Sequence, residues 1–193
     1  MGEAFDRARL PLYVAYYRRA LERFVKTKQL VESGQLGVIR NVDVRFANDG
    51  QSRLDAAQLP WRVQAEHAGA GLFLDLASHT LDVLDFVLGP LQEVTGEAKN
   101  QGSPGDVEDR VQLHFKTRSG ARGSGYWSFA SDVKEDLISI EGSSGILRVS
   151  TFGDSPVELE TASKSERFEL PNPPHIQQPL IQTIVNSLLG QGS

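Results

Sequence analysis

Between Leu91 and Leu170 the chain passes through seven short alternating runs: LQEVTGEAKN, VEDRVQLHFKT, ARGSGYWSFAS, KEDLISIEG, ILRVSTF, PVELET and ERFEL. Turn residues separate several of them, at Gly102 to Gly105, at Ser119-Gly120 and at Gly142-Ser143-Ser144-Gly145. A period of two puts alternate side chains on opposite faces of a strand, so each run can bury one face and leave the other outside. The gaps are too short for the crossovers that parallel strands require, and tight turns join antiparallel neighbours. This stretch therefore commits the chain to an antiparallel sheet.

The remaining segments supply cover for that sheet. VIRNVDVRF, from Val38 to Phe46, alternates like a further half-buried strand. ALERFVKTKQLVESG places Leu21, Phe24, Val25, Leu30 and Val31 near helical spacing, with Gly34 where a left-handed C-cap belongs. Leu12 to Tyr17 is short and rich in β-formers and reads as a strand, preceded by a helical-looking scrap. PNPPHIQQPLIQTIVNSLLG is a proline-punctuated loop followed by a helix to Leu189. The expected fold class is α+β, a mostly antiparallel open sheet with helices packed on one face. Two or three helices cannot cover both faces, so the second face must be polar or meet a partner.

Composition removes several classes of function. Lys and Arg are scattered, with no run beyond Arg18-Arg19, and the net charge is −5, so nucleic acid is not an expected partner. The absence of cysteine excludes disulfides, thiolate zinc sites and a cysteine nucleophile. No apolar run reaches membrane-spanning length and no signal-peptide pattern opens the chain, so a soluble cytoplasmic protein is the plain reading.

GAGLFLDLASHTLDVLDFVLG, from Gly69 to Gly89, is the segment most suggestive of chemistry. On a helix Asp75, Ser78, His79, Asp82 and Asp85 share one stripe, while Leu72, Leu76, Val83, Leu84, Val87 and Leu88 cover the broad remainder. Asp75 and His79 are four residues apart, within reach of each other, and a carboxylate beside an imidazole raises its basicity, as a general base requires. The same stripe also fits an amphipathic helix with one solvated side. A metal site of Asp75, His79 and Asp82 lacks a fourth ligand, since His67, His114 and His175 are distant in sequence and have no motif partner. A dinucleotide loop fails because Leu74 stands where the third glycine of G-x-G-x-x-G belongs. Neither a Walker loop nor a nucleophile elbow occurs. Spacing alone leaves the function open.

The segment WRVQAEHAGAGLFLDLASHTLDVLDFVLG resembles the signature of the glucose–fructose oxidoreductase/inositol dehydrogenase (Gfo/Idh/MocA) family, with Gly69 and Gly71 followed by Asp-x-x-x-His at Asp75 and His79. PLYVAYYRRALERFVKTKQLVESGQLGVIRNVDVRF is similar to the family's passage from its last nucleotide-domain strand into the C-terminal domain. VEDRVQLHF, GSGYWSF, IEGSSGILRVS and HIQQPLIQTIV resemble its later strands and closing helix in the same order. The resemblance implies a two-domain NAD(P)-dependent oxidoreductase acting on a sugar, cyclitol or related polyol. It casts His79 as the group that takes the hydroxyl proton and Asp75 as the group that orients His79 or grips a neighbouring hydroxyl. Arg18 in YYRR and Arg62 in the WR pair match positions that often face substrate.

The family's Rossmann fingerprint and its Glu-Lys-Pro motif do not occur in this sequence. The expectation is therefore that residues 1–18 are a remnant of the last Rossmann strand and its linker. Residues 19–193 would form the C-terminal substrate-binding and oligomerisation domain, assembling through the sheet face. NAD or NADP belongs to the full-length protein, and no cofactor or metal is expected on this chain. A non-catalytic binding or assembly module that uses the sheet as a dimer interface is the alternative, with a metal-dependent hydrolase more distant. Titration of the chain with NADH is expected to give no saturable binding, because the phosphate-cradling glycines are missing; micromolar affinity would contradict this division.

Overall fold

The alternating runs form one eight-stranded sheet in a computed structural model that describes residues 1–191. Its strands are β1 (Ile39–Ala47), β2 (Leu91–Lys99), β3 (Arg110–Thr117), β4 (Arg122–Ser128), β5 (Glu135–Gly142), β6 (Gly145–Val149), β7 (Val157–Thr161) and β8 (Ser165–Phe168). Their order across the sheet is β2-β3-β4-β1-β5-β6-β7-β8. Two antiparallel meanders thus flank β1, which joins them by pairing parallel with β4 and antiparallel with β5. The sheet is mostly antiparallel, as expected. Its one parallel pair, β1 with β4, is possible because the chain between them is long enough for a crossover.

The helical elements are α1 (Gly2–Ala8), a 3-10 turn (Tyr17–Ala20), α2 (Glu22–Glu32), a second 3-10 turn (Trp61–Val63), the short α3 (Ala65–Ala68), a π-helical turn (Phe73–Ala77) running into α4 (Ser78–Leu88), and α5 (Gln178–Leu188). Phe24 and Leu30 of α2 and Val83, Leu84 and Val87 of α4 join Val42, Val44, Trp127, Ile138, Ile140, Leu147 and Leu159 of the sheet in one core. The opposite face is polar. Arg45 pairs with Asp43 at 2.8 Å, Ser124 donates to Asp43 at 2.8 Å, and Arg148 pairs with Glu160 at 3.1 Å. Polar and charged contacts of this kind, within and between strands, let a sheet face meet water. Among the described residues no helix is long and apolar enough to cross a membrane.

The structure departs from expectation at Leu12–Tyr17, which is irregular up to Tyr16 and turns as a 3-10 helix from Tyr17. Leu10, Leu12, Tyr13 and Val14 are exposed. A β-rich sequence becomes a strand only when a neighbouring backbone accepts its hydrogen bonds, and none of the eight strands lies beside this one. The domain expected over 19–193 ends two residues past the described range.

Trp127 is the largest fully buried side chain, and Phe73 meets its ring edge-on at 5.2 Å. The Trp127 ring folds back over Gly125, two residues earlier on the same face of β4, so a Cβ at 125 would overlap it. Gly125→Ala should therefore cost about 1–3 kcal/mol by overpacking. Gly2→Ala, where a Cβ meets nothing within 4 Å, should stay within about 0.5 kcal/mol. Urea unfolding of the two variants checks the contrast.

Candidate functional site

The helix bearing Asp75 and His79 is entered through two glycines with different tasks. Gly69 has φ 76° and turns the chain out of α3 in the left-handed region that side chains disfavour. Gly71 passes so close to residue 108 that a Cβ would strike the Glu108 carbonyl, and its N–H donates to both Glu108 carboxylate oxygens at 2.9 Å. The glycine lead-in thus serves a contact with β3's approach loop.

A π turn, Phe73–Ala77, follows and carries Asp75. A π turn is wound differently from an α-helix, so the α-helical face does not carry straight through it. Asp75 belongs to that turn and His79 to α4. The Asp75 carboxylate lies 3.4 Å from Arg62 Nε, both side chains about half exposed. Among the described residues no hydrogen bond joins Asp75 to His79. Sequence spacing brought Asp75 and His79 together; the structure instead joins Asp75 to Arg62.

His79 is half-buried in an aromatic corner. Tyr16 stands edge-on to it at 5.9 Å and Tyr17 is tilted against it at 5.4 Å. Its Nδ1 is buried with no hydrogen-bond partner among the described residues. Burial holds the imidazole below its ordinary pKa, and the positive charge of Arg18 pushes the same way, while Asp75 and Asp82 oppose them more weakly. Both effects disfavour the protonated imidazole.

Arg18 is 3% exposed. Its guanidinium lies 4.7 Å from the Tyr17 ring centre and 4.4 Å from that of Phe152. Nε donates to the Thr151 carbonyl at 3.0 Å, and Nη1 is buried without a partner among the described residues. The loop it rests on is fixed by Asp136, whose carboxylate accepts the N–H groups of Thr151, Phe152 and Gly153 at 2.8, 2.7 and 2.9 Å. Neither a surface salt bridge nor an open substrate contact describes this arginine.

The far end of the expected polar stripe is structural. Asp82 is 8% exposed and accepts from Arg19 Nε at 2.9 and 3.0 Å and from Nη2 at 2.6 Å, and Asp85 accepts from the same Nη2 at 2.9 Å. These bonds pin the Tyr17–Ala20 turn onto α4. Sequence reasoning missed Arg19, and no local spacing could have revealed a partner 63 residues away. Asp75, Arg62 and Trp61 line a cavity of about 190 Å³ with Leu74 and Gly71. His79 lies one turn beyond it. His67, His114 and His175 are exposed elsewhere.

The glycine lead-in before α4 is not built as a phosphate cradle. The Gly71 amide, which would have to meet a phosphate in a helix-entry loop, is already taken by the Glu108 carboxylate. An acidic group at that point would repel phosphate.

The chain is 30% identical over 194 aligned residues to Oxidoreductase P35 of Formosa agariphila, covering 99% of this chain and 59% of that protein. It therefore spans about three-fifths of that relative's length. It is 26% identical to the WlbA dehydrogenase of Bordetella pertussis, solved in complex with NADH and UDP-GlcNAcA, with a TM-score of 0.72 over 97% of this chain and 55% of that one. An oxidoreductase from Desulfitobacterium hafniense shares the fold with a TM-score of 0.83 at 15% identity, over 99% of this chain and 58% of that one. The model of the GFO/IDH/MocA C-terminal domain matches residues 24–148, and the chain belongs to that family.

Proposed function

We propose that this chain is the substrate-binding half of an NAD(P)-dependent oxidoreductase that acts on a sugar, cyclitol or related polyol by hydride transfer. Residues 1–18 lead in from a nucleotide-binding domain and residues 19–193 form the substrate domain. The cofactor belongs outside the described residues, so this chain contributes substrate grip and proton handling. The observation that carries the reading is His79, half-buried against Tyr16 and Tyr17, with burial and the nearby Arg18 charge disfavouring its protonated form. The Bordetella relative's complex with a nucleotide-linked sugar acid supports a polyhydroxylated substrate.

In this reading His79 accepts the proton of the hydroxyl being oxidised. An imidazole whose protonated form is disfavoured can do so without first losing a proton of its own. Asp75 and Arg62, half exposed at the cavity rim, hold neighbouring hydroxyls. Arg18 acts from behind Tyr17 as a fixed positive charge, which favours the alkoxide forming at the reacting oxygen.

The polar sheet face is read as the place where a second copy docks. Its support is the breadth of the face and its neutralised pairs, Asp43 with Arg45 and Glu160 with Arg148. Light scattering should then find a dimer or higher oligomer at high micromolar concentration, and a persistent monomer there would contradict it.

The catalytic reading is tested by following the His79 ring proton by NMR as pH is varied. The midpoint should lie below the ordinary histidine value of about 6.5. The sign follows from the causes. Arg18→Met removes a cation that disfavours the charged imidazole, so the midpoint should rise. In a preparation that includes the nicotinamide-binding half, the acid limb of turnover should move with it. His79→Gln should lower turnover by about 10²–10⁴-fold. Unchanged turnover in His79→Gln would remove His79 from the reaction.

A further inference from the structure

Trp61 has no role in the site as described so far, and its surroundings are those of a ligand contact. It opens the 3-10 turn before α3 and is 55% exposed, an unusual state for an indole. Arg62 covers one side of the ring, its guanidinium 4.5 Å from the ring centre. Leu74, 59% exposed, lines the same cavity, and the Asp75 carboxylate stands on its wall. Two large apolar side chains thus sit in water around a carboxylate and a guanidinium that, among the described residues, are paired only with each other, at 3.4 Å. A half-exposed pair of this kind is weak and screened by water, and the carboxylate and guanidinium keep further donors and acceptors that a ligand can use.

We propose that Trp61 is a specificity-determining substrate contact that stacks the C–H face of a six-membered polyhydroxylated ring. This rests on the proposed function and narrows its substrate class to cyclic sugars and cyclitols, against open-chain polyols. The chemistry is complementary on each side. The ring's C–H face removes the indole and Leu74 from water, and adjacent hydroxyls donate to Asp75 and accept from Arg62. An open-chain polyol offers the same hydroxyls without a preformed flat apolar face, and must lose conformational freedom to present one. The volume sets the size. About 190 Å³ falls below the roughly 300–1,000 Å³ of drug-sized sites, so a single ring fits.

The chain has two tryptophans, and Trp127 is fully buried, so it reports folding while Trp61 reports the site. Saturation-transfer NMR with the whole chain and methyl β-D-glucopyranoside should show transfer strongest at the ring C–H protons, with at least fivefold less to sorbitol at equal concentration. Trp61→Ala should abolish the transfer, Trp61→Phe should restore most of it, and the blue emission of Trp127 should persist in both. His79→Gln is run in parallel. Transfer that survives in His79→Gln and disappears in Trp61→Ala supports the contact. Transfer lost in His79→Gln but intact in Trp61→Ala overturns it and leaves the catalytic reading standing. Equal transfer to sorbitol, or none to either probe, also overturns it. So does a Trp61 emission that turns blue with protein concentration and ignores the glucoside, which would make this surface a protein contact.

Discussion

The site depends on one charged contact, the fork of Arg19 on Asp82 and Asp85. Asp82 is the enclosed partner, its side chain 6% exposed against 41% for Arg19. Removing the arginine would leave a buried carboxylate without its counter-charge, the costly way to break an ion pair. What the contact secures is position. It ties the Tyr17–Ala20 turn to α4, and that turn carries both Tyr17 against His79 and Arg18 against Phe152. Two adjacent arginines thereby acquire opposite environments. Arg19 is half in water and fully paired; Arg18 is buried and rests on aromatic faces and one carbonyl.

Much of the sheet was legible in the sequence because strand periodicity is local. Each of the runs from Leu91 to Leu170 contains a strand, and the alternation of Val42, Val44 and Phe46 correctly marks the core face of β1. What local pattern could not convey was pairing. The parallel neighbour of β1 is reached only after the whole helical crossover. Leu12–Tyr17 shows the reverse limit, since propensity for a strand has no effect without an adjacent edge.

At the site, the sequence located the helix but misassigned contacts along it. The hydrophobic stripe of Val83, Leu84 and Val87 packs as the helical period requires. The polar stripe does not behave as one unit. Asp82 is absorbed by Arg19, Asp75 turns to Arg62, and His79 meets tyrosines. A 100° periodicity assumes an uninterrupted α-helix, and the π turn at Phe73–Ala77 breaks that assumption between Asp75 and His79.

The pairing of Asp75 with Arg62 bears on the acid–base character of His79. An Asp75 carboxylate bonded to the imidazole would favour its charged form and raise its pKa. Displaced onto Arg62, the carboxylate acts weakly, and burial and Arg18 dominate in the opposite direction. The result is an imidazole whose protonated form is disfavoured, beside a buried cation. In the proposed reaction this trades basicity for readiness. A weaker base in the correct protonation state, with positive charge placed behind it, accepts a hydroxyl proton when the developing alkoxide is itself stabilised. The Arg62–Asp75 pair and the Arg19 fork are thus two parts of one arrangement, the first occupying Asp75 away from His79 and the second bringing Arg18 near it.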